Sequence, residues 1–125
     1  MRIFIFEDDH ERLRWFHNQL KDHSIEWADN IEIAKEILVT QPEWDVVFFD
    51  HDMIWEFTDS DGTENNGYKL SVWCVENDIK IKQCIVHSHN PTGAERIANT
   101  LRLIYDDVTV CPFRTLRQQG MTITN

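Results

Sequence analysis

The chain has 125 residues and a formal net charge of −10, with 42% hydrophobic and 27% charged residues. A chain of that length is expected to form one domain that buries about two-thirds of its unfolded surface. The acidic balance offers no basic stripe for duplex DNA, and no apolar run approaches the ~20 residues of a membrane span. Three cysteines without a Cys-x-x-Cys pair argue against a disulfide scaffold or a cysteine zinc site. The start lacks the basic segment and long apolar core of a signal peptide, so a cytoplasmic location is expected.

In chain order, residues 2–6 predict a strand. Leu13, Phe16 and Leu20, with Trp15 beside them, recur at helical spacing and predict a helix over 10–22, capped by Asp8 or Asp9. Residues 25–28 form a second short strand. Asn30 caps a helix over 31–40 with Ile33, Ile37 and Leu38 inward, and Pro42 follows its end. The run Val46-Val47-Phe48-Phe49 marks a strand over 45–49 buried on both faces. A long polar stretch, 53–66, follows, and loops of that length are usually functional or mobile. A helix over 67–77 and a strand over 82–87 come next. Pro91 suits the first turn of a helix running to about residue 105 through Ile97, Leu101 and Ile104. Residues 107–111 form a fifth strand, and a short helix spans 113–119.

The β-α unit repeated five times predicts an α/β fold, a flavodoxin-like three-layer sandwich around a five-stranded parallel sheet of order 2-1-3-4-5. That order places strands 1, 3 and 4 side by side. Their carboxyl ends carry Glu7-Asp8-Asp9-His10, Asp50-His51-Asp52 and His87-Ser88-His89-Asn90. Ligands in such sheets bind at the carboxyl edge, so three Asp/His clusters are expected to converge on one pocket.

Over most of its length the chain resembles a response-regulator (CheY-like) receiver domain. Glu7-Asp8-Asp9 is similar to the acidic metal-binding pair, Asp50 falls at the phosphoacceptor position, Ser88 or His87 near the switch Ser/Thr, and Cys111-Pro112-Phe113 on the Lys-Pro-Phe-like end of strand 5. The lysine is replaced by Cys111, the loop after strand 3 is longer, and His87-Ser88-His89-Asn90-Pro91 is foreign to ordinary receivers. Phe-Asp-His-Asp followed by His-Ser-His-Asn-Pro-x-Gly-Ala is closer to the receiver-like family of cyclic-phosphate-processing receivers (cREC). Membership would imply an association with phage and bacterial RNA repair and action on cyclic phosphate ends.

The residues themselves point to a metal site. In extended backbone Asp50 and Asp52 share one side, as do His87 and His89. With Asp8 and Asp9 they make a mixed oxygen and nitrogen ligand set suited to Mn²⁺, Fe²⁺, Zn²⁺ or Mg²⁺. One divalent metal, or two about 3.5–4 Å apart, would activate water against a phosphate ester. Asp50, His51, His87 and His89 are the candidate catalytic residues, His87 or His89 protonating the leaving oxygen. The amides of residues 90–94, with Ser88, Asn90 and Gly93, offer an anion site at a helix start, and Arg96 lies one turn in.

Blander readings stand beside these. Asp50 alone is equally a cap or turn residue, and a His-x-His is often polar surface. His10, His17 and His23 read as solvated, with His10 bordering Asp9. Asp59 and Asp61 fail the calcium-loop spacing, since position 12 from Asp59 is Leu70. Trp15, Trp27, Trp44 and Trp73 read as packing, Trp55 and Phe57 as possible base-stacking rings, and Cys111 as a small buried residue. The leading function is a metal-dependent phosphoesterase acting on a phosphate-ester or cyclic-phosphate ligand, an RNA end or a cyclic nucleotide. The alternatives are a divergent signalling receiver and a silent domain that binds a protein partner.

Overall fold

A computed structural model of the chain describes residues 1–51 and 66–120. Asp52, the stretch 53–65 and the rings of Trp55 and Phe57, on which expectations rest, lie outside the described residues. Among the described residues strands and helices alternate: β1 (Arg2–Phe6), α1 (His10–Gln19), β2 (Ser24–Ala28), α2 (Ile31–Leu38), β3 (Trp44–Phe49), α3 (Gly67–Glu76), β4 (Ile81–Val86), α4 (Pro91–Leu101), β5 (Val108–Val110) and α5 (Phe113–Gln119). The sheet is parallel, in the order β2-β1-β3-β4-β5. Among the described residues no helix is long and apolar enough to cross a membrane.

Strand alternation builds two cores. Phe4, Phe6, Val47, Phe49, Cys84 and Val86 face α2, α3 and α4, while Ile3, Ile5, Val46, Phe48 and Ile85 face α1 and α5. Trp44 is the anchor of the first, 1% exposed, edge-on to Phe4 and donating its indole N–H to Leu38 O at 3.0 Å. Phe16 anchors the second, fully buried against Phe48 and Phe113. Burial of each large ring contributes on the order of 2–3 kcal/mol.

Helix starts follow local chemistry. Asp9 caps α1 by accepting from the Glu11 and Arg12 amides, and Asn30, Asn66 and Asn90 cap α2, α3 and α4 in the same way. Several expected boundaries shift. α4 stops at Leu101, about four residues early, because Tyr105 turns inward and its hydroxyl donates to Ile79 O at 2.5 Å, leaving Ile104 44% exposed. In α2 the inward stripe is Ile31, Ala34 and Leu38, and Ile33 stands 43% exposed. Trp27 is 39% exposed on the edge strand β2, and only one of its sheet neighbours, β1, is there to cover it.

Candidate active site

The sheet register delivers the site. Phe6 pairs with Phe49 and Phe49 with Val86, so the next residues, Glu7, Asp50 and His87, stand side by side at the carboxyl edge. Backbone bonds continue the ladder past the strands: Asp50 N–H donates to Phe6 O at 3.2 Å, His87 N–H to Phe49 O at 3.0 Å and Cys111 N–H to Val86 O at 2.8 Å. Glu7, Asp50 and His87 also share the parity of Ile5, Phe48 and Ile85, so all three side chains project toward α1 and α5. The residues one step on, His51 and Ser88, have the opposite parity.

The three side chains form a buried cluster. Glu7 and His87 are fully buried and Asp50 is 4% exposed. One ligand atom from each lies within 4.8 Å of the others, the one such group of His, Cys, Asp and Glu among the described residues. His87 Nε2 lies 2.9 Å from Glu7 Oε1, and Glu7 Oε2 accepts the Asp8 and Asp9 amides at 3.0 and 3.2 Å. Arg12 reaches down from α1, its guanidinium 3.6 Å from Glu7 and 3.7 Å from Asp50 and also over the Phe113 ring.

Burial dominates the electrostatics. Desolvation pushes Asp50 up to about 7, against the opposing pull of His87, with the neighbouring Glu7 charge adding to the rise. Desolvation also raises Glu7, opposed by the Asp9 amide and by Arg12. The same burial holds His87 down at about 4. The 2.9 Å contact between His87 and Glu7 is therefore a hydrogen bond from a neutral ring to a carboxylate, not an ion pair. With Nε2 donating, Nδ1 is an acceptor; among the described residues it has no partner, in a pocket walled by Phe16 and Phe48.

An open cavity of about 490 Å³ lies above the cluster, lined by Asp8, Arg12, Asp50, Ser88, His89 and Asn90 among others. His89 is exposed at its rim and accepts the Arg114 amide on Nε2 at 3.0 Å, which leaves the ring proton on Nδ1. Burial, then Arg12 and Arg114, lower its proton affinity. These bonds tie His87 to Glu7 and leave the His89 Nδ1–H at the rim. Asp8 lines the cavity, while the Asp9 carboxylate also lining it caps α1 through Oδ1.

Other candidates stand at the margin. Asn90 caps α4 through the Gly93 amide, and Ser88 Oγ accepts the Asn90 amide at 3.1 Å. A Cβ on Gly93 would stand 2.4 Å from the His51 ring, so that glycine gives His51 its room. Arg96 does not line the cavity; its guanidinium lies over the Tyr68 ring at 4.0 Å. Glu7 enters the sequence reading only within the run Glu7-Asp8-Asp9, although it is the first polar residue of matching parity after β1. Arg12 is not among the sequence candidates and leaves no sequence signal that separates it from the other polar residues of α1.

The donor set suits a hard cation. Two buried carboxylates with raised proton affinity, and Asp8 beside them, are what a divalent ion would neutralise. Histidine ligands normally donate their second nitrogen to a carboxylate or carbonyl; His87 donates Nε2 to Glu7, which leaves Nδ1 as the nitrogen a cation would take.

A doubly wound sheet of this order with an acidic pocket at its carboxyl edge defines a receiver fold. Solved structures agree. The chain is similar to the CheY-like receiver domain of a response regulator from Methylobacillus flagellatus (14% identity, TM-score 0.63, covering 99% of this chain and 98% of that one). It is similar also to the receiver domain of the Francisella response regulator 1452 (16%, 0.61, 94% and 91%). A third is the N-terminal domain of a response regulator/sensory box/GGDEF three-domain protein from Carboxydothermus hydrogenoformans (14%, 0.61, 94% and 89%). No curated protein matches the chain significantly. The family model for the cyclic-phosphate processing receiver domain matches residues 3–103, and the chain belongs to that family.

Proposed function

We propose that the protein is a divalent-cation-dependent phosphoesterase that opens cyclic phosphates, foremost the 2′,3′-cyclic phosphate at an RNA end. The observation that supports this best is the cavity in which carboxylates, a guanidinium, a hydroxyl and an imidazole face one space above a buried Glu7–Asp50–His87 cluster. Glu7 and Asp50, with Asp8, would hold Mg²⁺ or Mn²⁺. Bound there, the cation supplies Lewis-acid polarisation of a phosphoryl oxygen. Arg12 grips a second phosphoryl oxygen, its guanidinium being the nearest fixed positive charge. His89 Nδ1–H hydrogen-bonds the ribose oxygen as negative charge develops on it. Water adds to phosphorus and releases one proton to solvent, one P–O(ribose) bond breaks, and that oxygen takes up a proton from solvent, giving a phosphomonoester.

The test is ³¹P NMR of 2′,3′-cyclic mononucleotides with the protein and Mg²⁺ or Mn²⁺. Conversion that stops with EDTA and in Asp50→Asn is expected, and no conversion with either cation would refute the reading. A phosphoaccepting receiver is the second reading, supported by Arg12, 3.7 Å from Asp50, where a cation would face an acyl phosphate. It predicts a mass increase at Asp50 after acetyl phosphate and Mg²⁺, and the first reading predicts none.

A further inference from the structure

A second open cleft, about 550 Å³, runs between α1 and α5 and meets the cavity at Asp9, Arg12 and His89. Its lining holds four of the chain's seven arginines, Arg12, Arg14, Arg114 and Arg117, in a chain whose net charge is −10. Arg14, Arg114 and Arg117 are exposed, and among the described residues none has a carboxylate within 4.0 Å. Two acids share the lining, but Asp9 caps α1 and Glu11 sits in its first turn, where the helix dipole favours a carboxylate. Trp15 lines the cleft half-buried, propped edge-on by Phe113 at 5.1 Å.

Ordinary solvated helix faces would scatter these charges. Here two helices distant in sequence aim guanidiniums into one cleft, beside an aromatic face. A cyclic mononucleotide carries one phosphate, which Arg12 already meets. Three further unpaired guanidiniums match a ligand with several phosphates in a row.

We propose that the α1–α5 cleft is the groove for single-stranded RNA leading to the site, with chain phosphates on Arg14, Arg114 and Arg117 and a base on Trp15. The inference rests on reading the adjoining cavity as a phosphoesterase site. Guanidiniums take phosphates bidentately, and base–aromatic stacking is tolerant of sequence. A short groove of this kind is compatible with an acidic protein, because the field is local.

The test is fluorescence anisotropy of a 5′-fluorescein hexaribonucleotide 3′-phosphate with the full chain. Releasing about 0.7 counterion for each of three phosphates gives a slope near −2 in log K against log salt. Affinity should then fall about 16-fold between 50 and 200 mM salt. Arg14→Ala/Arg117→Ala should bind at least tenfold more weakly, and the same salt step should then cost only about threefold. Lys80→Ala, an exposed charge on another face, should match wild type. Absent binding, or binding unchanged in the double variant, overturns the groove. So does equal competition by a cyclic mononucleotide or by an oligoglutamate. Mononucleotide hydrolysis separates the two claims: its absence alongside arginine-dependent RNA binding sinks the phosphoesterase reading and leaves the groove. Its presence with the double variant binding RNA normally does the reverse.

Discussion

Asp50→Asn should stabilise the cation-free protein while abolishing its activity. Asp50 is 4% exposed and its carboxyl is pushed from 3.8 up to about 7. Its raised affinity means that native stability from this group is full below pH 3.8 and is lost as pH rises through about 7. At pH 8 the ionised carboxylate costs about 4 kcal/mol relative to the unfolded chain. Asparagine keeps the side-chain oxygen that accepts the His51 amide and removes the charge. Arg12 loses one partner at 3.7 Å, an attraction already contained in the value of about 7. The net gain is about 4 kcal/mol, or about 13 °C in Tm for a chain of this size. His87, held down at about 4, works the other way: its contribution is present above pH 6.5 and lost as pH falls through about 4. Glu7, also raised by burial, loses stability with rising pH in both proteins, so the Asp50 contribution is read from the gap between variant and wild type, which opens from about pH 4 toward pH 8. The assay is thermal unfolding in EDTA at pH 4.5, 6.5 and 8. An Asp50→Asn protein that melts below wild type at pH 8 would refute the reasoning and make this carboxylate structural.

Four further outcomes follow from the same geometry. His89→Ala should lower kcat for cyclic-phosphate opening by about 10²-fold, the loss typical of one donor to a developing oxyanion, with Tm unchanged by scanning fluorimetry. Arg12→Ala should raise KM about tenfold or more, through loss of a charge-assisted phosphate contact, in steady-state kinetics. Gly67→Ala places a Cβ 1.8 Å from Asp50 O and should cost about 3 kcal/mol in urea unfolding, because backbone must move. Gly93→Ala meets the His51 ring at 2.4 Å and should cost about 1–2 kcal/mol in the same assay, a ring being easier to displace than a carbonyl.

Much of this molecule was legible before its structure. The apolar runs 3–6 and 46–49 could only be buried strands, and strand order followed from βα alternation and handedness. Asp50 and His87 could be placed together because each directly follows such a run. Glu7 was equally legible by parity with Ile3 and Ile5, but the acids after it drew the assignment to Asp8 and Asp9. The capping role of Asp9 shows why: an aspartate two residues before the first helical amides satisfies them first. Arg12 depended on the rotation of α1 about its axis, which the Leu13–Phe16–Leu20 stripe sets only coarsely. The separation of His87 from His89, one sealed between phenylalanines and one at the rim, is a property of how β4 ends beneath α1 and α5.

The most direct measurement is calorimetric titration of Mn²⁺ into the EDTA-stripped protein, wild type beside Glu7→Gln, Asp50→Asn and His89→Ala. One saturable site in wild type and His89→Ala, lost in Glu7→Gln and Asp50→Asn, is the predicted result. No binding in wild type, or binding unaffected by removing the Glu7 or Asp50 charge, would contradict a cation site at the carboxyl edge of β1 and β3.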